Sequence, residues 1–215
     1  MSTPADCNDL SSLLKARADR LRKDEQFWLG IAGPPGSGKS TLCGELLKQL
    51  GDTAIVLPMD GYHFRRDQLD RMPDPEEAHR RRGAPFTFDA ERFVDELTAA
   101  RASGQGLFPS FDHTAGDPVE DDICLIKGQH KMVIVEGNYL LLDDEPWSRL
   151  RAVFDETWYL DTDIDLCKER VYQRLIATGC DAPTARQRVA YNDGPNADLV
   201  IRVSPRNADR VIRLA

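Results

Sequence analysis

The sequence predicts an α/β domain built on a single doubly wound, mostly parallel sheet with helices on both faces. Its 215 residues fit one domain of about 100–200 residues better than two. Short apolar runs alternate with segments of helical periodicity, and one strand–helix–strand unit occupies about 30 residues, which implies parallel strands with a right-handed crossover. There is no repeat, low-complexity segment or linker. We therefore expect residues 1–215 to form one domain.

Composition narrows the class of function. The chain has 28 Lys and Arg against 36 Asp and Glu, a net charge of −8, and an acidic chain is repelled by a phosphate backbone, so nucleic-acid binding is disfavoured. The apolar runs fall far short of the roughly 18 residues that span a bilayer, so we expect no membrane insertion. The first eight residues lack the features of a signal peptide, which predicts a cytoplasmic protein. The five scattered cysteines contain no C-x-x-C pair and are interpreted as reduced thiols.

In the first half of the chain, apolar periodicity predicts helices over 10–23 and 39–50 and buried strands over 27–32 and 53–58. Residues 62–88 are polar, rich in arginine and proline, and lack sustained periodicity. We interpret them as a long functional loop with a little helix.

In the second half, Asp89 is predicted to cap a helix that ends near Gly104. Short strands are expected over 107–111 and 123–126, and the most apolar strands over 132–136 and 157–161. Helices are predicted over 164–177 and 184–191, then a last strand over 199–203 and a C-terminal helix.

A glycine-rich loop carries the strongest functional signal. Residues 33–40 match G-x-x-x-x-G-K-[ST], after a predicted strand and at the start of a helix, which predicts the phosphate loop of the P-loop NTPase fold. A turn that merely caps a helix would leave the Gly-Lys-Ser sequence unexplained. Lys39 would contact the β- and γ-phosphates of ATP, and Ser40 would coordinate Mg²⁺. The predicted nucleotide-binding residues are Gly33, Pro34, Pro35, Gly36, Ser37, Gly38, Lys39, Ser40 and Thr41.

Two carboxylates follow predicted parallel strands, at the edge where such sheets bind ligands. Asp60 is a candidate for the base that accepts the proton of an attacking hydroxyl, and its alternative is an ordinary Asp-Gly turn. Glu136 is a candidate for organising Mg²⁺, directly or through water, and its alternative is a solvated strand end. Guanine specificity is disfavoured, because the chain contains neither N/T-K-x-D nor D-x-x-G.

The order of five sequence blocks resembles the uridine kinase, phosphoribulokinase and bacterial pantothenate kinase superfamily, especially its fructose-transport-system and uridine-kinase-like members. The blocks are the phosphate loop, Met59-Asp60-Gly61-Tyr62-His63, residues 82–89, residues 109–113 and residues 135–142. The resemblance implies that Asp60 is the catalytic base, that Glu136 is the Walker B acid, and that residues 60–89 form a wall of the acceptor site. It also implies an adenine site near residues 204–207.

The resemblance further implies a helical lid over about 164–192, in which Arg170 and Arg174 stabilise the transferring phosphate. The segment after them is short, and Arg186 or Arg188 could take that role. Arginines on a helix are also commonly just a solvated face.

Five further residues are predicted to contact the acceptor: Tyr62, His63, Arg82, His113 and Tyr139. The run Arg80-Arg81-Arg82 would bind an anion if it were gathered in space, but flanking acids make a salt-linked loop an equal alternative. A buried structural histidine is likewise an alternative for His113.

The favoured hypothesis is a kinase that transfers the γ-phosphate of ATP to a small-molecule hydroxyl, on a sugar such as fructose, a nucleoside or a pantothenate-like alcohol. The alternative is a non-catalytic ATP-binding module that regulates a partner such as a transporter. The carboxylate at Asp60 and the long polar segment after it favour the kinase, because a regulator needs neither. The sequence leaves a homodimer open.

Overall fold

The computed structural model describes residues 6–214 and is organised around a five-stranded parallel sheet with a separate antiparallel hairpin beside it. The sheet order is β2-β5-β1-β6-β7, and every neighbouring pair is parallel. The sheet strands are β1 (Phe27–Ala32), β2 (Ala54–Pro58), β5 (Met132–Gly137), β6 (Glu156–Leu160) and β7 (Arg210–Ile212), and the hairpin strands are β3 (Gly106–Asp112) and β4 (Asp117–Leu125). This confirms the predicted α/β class with a mostly parallel sheet.

The described residues contain eight α-helices: α1 (Cys7–Ala18), α2 (Lys39–Leu50), α3 (Arg66–Leu69), α4 (Pro75–Arg80), α5 (Ala90–Ser103), α6 (Ile164–Ala177), α7 (Ala182–Arg188) and α8 (Gly194–Val203). A π-helical turn, Val189–Asp193, joins α7 to α8. Over residues 6–214 no helix combines the length and the apolar character needed to cross a membrane.

Two layers of core hold the sheet. Strands β1 and β5 are buried at every position, which is why they read as continuous apolar runs. On one face Leu14 of α1 and Leu46 of α2 pack against the sheet. On the other face Phe93 of α5, Phe108 of the hairpin and Val200 of α8 form a second core. The central strands are therefore fixed from both sides, and the loops at their carboxyl ends are free to form a site.

The end of the chain differs from the prediction. Residues 199–203 belong to helix α8, whose buried side includes Ala197 and Val200, and the last strand is β7, which pairs with β6. A short apolar run of this kind fits either a strand or a buried helical face. The predicted C-terminal helix is absent from the described residues, which end on β7 and two further residues.

Two other segments differ in detail. The first helix occupies Cys7–Ala18 rather than 10–23, and the two short strands predicted around an acidic loop form a longer hairpin outside the main sheet. In that hairpin β4 is largely exposed. Its acidic side chains are therefore solvated while its backbone pairs with β3. The polar segment 62–88 contains the short helices α3 and α4, which agrees with a loop that holds a little helix.

Candidate active site

A cleft of about 1110 Å³ lies at the carboxyl ends of the central strands. Its walls come from the loop between β1 and α2, from the ends of β2 and β5, and from helix α6. Parallel sheets bind ligands at this edge, because several strand ends and helix N-termini converge there. The cleft is therefore the natural place for the chemistry that the sequence predicts.

The phosphate loop requires glycine at Gly36. Its φ of +80° lies in the left-handed region, and a Cβ there would lie 2.3 Å from the carbonyl oxygen of Cys167 on α6. Gly38, with φ of +97°, is the residue before α2. The loop thus packs tightly against α6 and directs the N-terminus of α2 toward the cleft, as anion binding requires.

The Lys39 ammonium is buried, and all three of its protons have acceptors. Nζ donates to the carbonyl oxygens of Gly33 (2.9 Å) and Pro34 (3.1 Å) and to Oδ1 of Asn138 (2.8 Å). Burial lowers the pKa of Lys39, and the negative charge of Glu136 opposes that change. A cation is therefore held beside the loop, where it would have to exchange these partners to contact a phosphate.

Ser40 and Glu136 face each other across the base of the cleft. The Ser40 hydroxyl donates to Oε1 of Glu136 at 2.9 Å, and Glu136 is 9% exposed. Burial raises the pKa of Glu136, while the nearby Lys39 charge lowers it. One hydroxyl and one carboxylate oxygen are the hard ligands that Mg²⁺ prefers, usually completed by water and phosphate. The donor set fits magnesium.

Asp60 follows β2, in the 3₁₀ turn Met59–Tyr62, and its carboxylate lines the cleft. The side chain is 44% exposed, unlike that of Glu136. The turn is anchored to the hairpin, because a Cβ on Gly61 would lie 2.3 Å from the carbonyl oxygen of Pro109. An accessible carboxylate on a fixed turn can accept a proton from a molecule in the cleft.

His63 supports the turn that carries Asp60. Its Nδ1–H donates to the carbonyl oxygen of Asp60 at 2.9 Å, and its ring packs 4.0 Å from the Phe88 ring and 5.0 Å from the Phe111 ring, between centroids. Burial lowers the pKa of His63, and the Asp60 carboxylate opposes the change. The histidine thus holds the backbone of the candidate base.

Three residues predicted to contact the acceptor form hydrogen bonds or ion pairs with other parts of the protein. The Tyr62 hydroxyl donates to Glu96 on α5 at 2.6 Å, and the Tyr139 hydroxyl donates to the carbonyl oxygen of Gly83. Arg82 binds Asp117 at 2.7 Å and the carbonyl oxygen of Phe64 at 2.9 Å. None of the three lines the cleft. Their hydroxyl and guanidinium groups already have protein partners, and their role as substrate contacts stays a prediction.

The histidine of the hairpin also lies outside the cleft. His113 is exposed, follows the end of β3, and its ring centroid is 5.2 Å from that of Phe111. It is not the buried structural histidine that was the alternative.

The side chains of Arg80, Arg81 and Arg82 do not converge on one point. Arg80 pairs with Glu77, and Arg81 donates to Asn192 and Asn196 at 3.3 Å each. With Arg82 on Asp117, the run forms a set of separate links rather than one anion cluster, as the salt-linked alternative predicts.

Helix α6 presents Arg170 and Arg174 to the cleft. One Arg170 amine donates to the carbonyl oxygen of Gly36 at 3.4 Å, and Arg174 lines the same cleft. Of the two substitutes, Arg186 lies over the Tyr172 ring, with Cζ 5.7 Å from its centroid, and Arg188 lies 3.9 Å from Asp193. The structure therefore places the first pair, rather than the second, in the cleft that holds the phosphate loop.

The region expected to hold adenine lies outside the cleft. Residues 204–207 form a 3₁₀ turn that is tied to another loop, with Arg206 on Asp143 and Asn207 on the carbonyl oxygen of Leu141. Arg213 and Leu214, after β7, line the cleft instead. The adenine site near residues 204–207 stays a prediction.

Sequence reasoning missed Asn138 and Asp193. Asn138 follows Glu136 by two residues and binds a lysine 99 residues earlier, and its position after a buried strand was the available signal. Asp193 ends the π-helical turn, and its Oδ2 is buried without a hydrogen-bond partner. Burial raises the pKa of Asp193, against the charges of Arg188 and Arg174. No local sequence pattern predicts that Asp193 is buried.

The fold and the loop together define an α/β phosphate-loop protein with the architecture of small-molecule kinases. The model of the Phosphoribulokinase / Uridine kinase family matches residues 28–213. The chain belongs to that family.

Individual relatives of this chain also carry kinase names. A Schizosaccharomyces pombe protein named "Putative uridine kinase C227.14" is 38% identical over 212 residues, covering 93% of this chain and 90% of its own. An Aspergillus versicolor "ATP-dependent kinase-like protein" is 42% identical over 153 residues, covering 67% and 87%. A solved structure, "putative fructose transport system kinase" from Silicibacter sp. TM1040, is 31% identical with a TM-score of 0.81, covering 94% of this chain and 98% of the other.

Proposed function

We propose that this protein is an ATP-dependent phosphotransferase that phosphorylates a hydroxyl group of a small molecule. The observation that carries the proposal is the accessible carboxylate of Asp60 in the same cleft as the phosphate loop. A protein that only binds ATP needs the loop, but it has no use for a proton acceptor beside it.

The proposed roles follow from position. The hydroxyl oxygen of the acceptor would attack the γ-phosphorus, the bond to the β–γ bridging oxygen would break, and the acceptor proton would pass to Asp60. Lys39 would neutralise charge on the β- and γ-phosphates, and Arg170 and Arg174 would act from α6. Residues 33–41 would hold the triphosphate.

Magnesium fits the Ser40 and Glu136 oxygens described above, and these residues would hold it. When bound, it would neutralise part of the phosphate charge. Glu136 must be ionised for this. Burial raises its pKa, and the neighbouring Lys39 cation opposes that rise.

The nature of the acceptor is open to a direct test, since the names of the relatives refer to uridine and to fructose transport. The experiment measures ADP release by the full chain with MgATP and a panel of sugars, nucleosides and pantothenate-like alcohols. Stimulation by one acceptor, with a phosphorylated product seen by mass spectrometry, supports the proposal. Tight ATP binding without stimulation by any acceptor would favour the regulatory alternative.

A further inference from the structure

Asn138 follows β5 and lies between the phosphate loop and the turn of Asp60. Its Oδ1 accepts a hydrogen bond from Nζ of Lys39 at 2.8 Å. The preceding Gly137 packs against the turn, since a Cβ on Gly137 would lie 2.6 Å from the Cβ of Met59. Asn138 thus joins the lysine proposed to contact phosphate to the turn proposed to carry the base.

The three acceptors of the Lys39 ammonium differ in where they lie. Gly33 and Pro34 offer backbone carbonyl oxygens, and neither residue lines the cleft, whereas Asn138 does. The carbonyl groups are fixed by the backbone of the loop, but an amide side chain can turn about its own bonds. A phosphate oxygen that approaches Lys39 from the cleft would therefore compete with Asn138 for its proton.

The chemistry of the amide suits it to such an exchange. An amide accepts at its oxygen and donates at its NH2 group, and an ammonium only donates, so the oxygen of Asn138 faces Lys39. The side chain is half-buried, and this hydrogen bond is the one that it makes with residues 6–214. Its NH2 group is thus available to a molecule in the cleft. A half-turn about χ2, a torsion with broad and roughly two-fold preferences, interchanges the two ends.

We propose that Asn138 exchanges partners with the γ-phosphate of ATP: it releases Lys39 to a γ-phosphoryl oxygen and donates its own NH2 group to the same phosphoryl group. The inference rests on the proposed kinase function and adds a phosphate-binding residue to it. The γ-phosphate is the group concerned, because it must lie beside Asp60 for a hydroxyl to attack it, and Asn138 lies on that side of Lys39. A donor there meets the negative charge of the transferring group.

A double-mutant cycle separates this role from simple support of Lys39. Calorimetry measures the Kd values of ADP and of a non-hydrolysable ATP analogue, both with Mg²⁺, for Asn138→Ala alone and combined with Lys39→Met. In the wild-type background the loss of a competing acceptor opposes the loss of a donor, so the Kd of the analogue should change little. In the Lys39→Met background only the donor is lost, so the Kd of the analogue should rise about tenfold or more, as for a hydrogen bond to a charged group. The Kd of ADP should stay nearly constant.

Two results of the cycle would overturn the inference. If Asn138 acted only by holding Lys39, its replacement would change nothing once Lys39 is gone. An equal rise for ADP would show that the contact is not with the γ-phosphate. Either result would leave the proposed function standing, because neither depends on an acceptor. Conversely, failure to find any phosphorylated acceptor would refute the proposed function without changing these Kd values.

Asn138→Asp gives a second arm, which decides the question if Lys39→Met binds nucleotide too weakly to measure. Aspartate keeps an acceptor of similar shape for Lys39 but has no NH2 group and repels phosphate. The Kd of the ATP analogue should therefore rise about tenfold or more, and by more than the Kd of ADP. Circular dichroism checks that each variant folds.

The matched control is Asn8→Asp, at an exposed asparagine on α1 that lies outside the cleft. It makes the same change in charge and should leave both Kd values unchanged. An equal rise for the two nucleotides in Asn138→Asp, or no rise in either, would refute the exchange.

Discussion

At the scale of single residues, the site depends on charges held where water is largely excluded. Lys39 and Glu136 are both buried. Burial lowers the pKa of Lys39 and raises that of Glu136, and each charge opposes that change in the other group. Asp60 is more exposed than either. The two buried groups are thus suited to fixed electrostatic work on phosphate and metal, and the exposed one to exchanging a proton with a ligand that comes and goes.

Replacing Lys39 tests the electrostatic part. Lys39→Ala should lower kcat by about a thousandfold or more, because it removes several kcal/mol of transition-state stabilisation. The protein should still fold, since the side chain contributes no apolar packing to either core. Steady-state kinetics and circular dichroism check the two statements, and near-normal turnover would refute the assignment of the phosphate loop.

Replacing Asp60 tests the proton transfer. Asp60→Asn keeps the shape but loses the basic oxygen, so acceptor phosphorylation should fall roughly a hundredfold or more while the Kd for MgATP stays nearly constant. Calorimetric titration with a non-hydrolysable ATP analogue measures the second quantity. If nucleotide affinity collapsed together with turnover, Asp60 would be a metal-site residue, and the base would have to be sought elsewhere.

At the scale of elements, the unit from β1 through the loop to α2 is the part that the sequence predicts best. The observed bounds, Phe27–Ala32 and Lys39–Leu50, are those predicted, because an apolar run, a glycine-rich break and a helical pattern follow one another locally. The strand predicted over residues 199–203 was wrong for the opposite reason, because these residues belong to helix α8. A five-residue apolar run holds no local signal that separates a strand from one face of a helix.

The same contrast between local and non-local signals applies to the site. Asp60 and Glu136 could be predicted to lie in the cleft because each follows a parallel strand, and the position of a strand end follows from sheet topology alone. The side-chain directions of Tyr62 and Tyr139 did not follow, because an aromatic ring beside a cleft lowers its free energy by turning into the core once a buried partner for its hydroxyl exists. Asn138 could not be foreseen as the partner of Lys39, as nothing local joins residues 99 positions apart.

The junction between the loop and α6 can be tested with a pair of glycines. Gly36→Ala should destabilise the fold by at least about 1–2 kcal/mol and weaken ATP binding, because Cβ meets a backbone carbonyl and φ is positive. Gly44→Ala, in open space on α2, should instead stabilise by about 0.5–1 kcal/mol. Urea unfolding measures both. Equal effects of the two changes would show that α6 does not press on the loop.

At the scale of the whole molecule, two cores fix the sheet while the acceptor wall depends on polar links between distant segments. The turn of Asp60, the hairpin and the segment before α5 meet at His63, which stacks on Phe88 and Phe111. The π-helical turn before α8 joins the same wall, because Asn192 donates to the carbonyl oxygen of Arg82. A largely buried histidine is therefore central to the packing of three segments, and its protonation should loosen them together.

This gives a pH dependence of stability. Burial lowers the pKa of His63 in the folded protein, so between the folded and unfolded pKa values the unfolded chain binds more protons, and stability rises with pH. The stabilising contribution is complete above the unfolded value of about 6.5 and is lost as the pH falls below it. His63→Asn retains a donor for the carbonyl of Asp60 but cannot titrate. The urea midpoint of the variant should therefore fall less than that of the wild type when the pH is lowered from about 7.5 to about 5.5, a range that brackets the histidine pKa of the unfolded chain.

His113→Asn, at an exposed histidine, is the control and should follow the wild type. If His63→Asn followed the wild type as well, the acid sensitivity would arise from other groups, and His63 would not hold the acceptor wall in its neutral form.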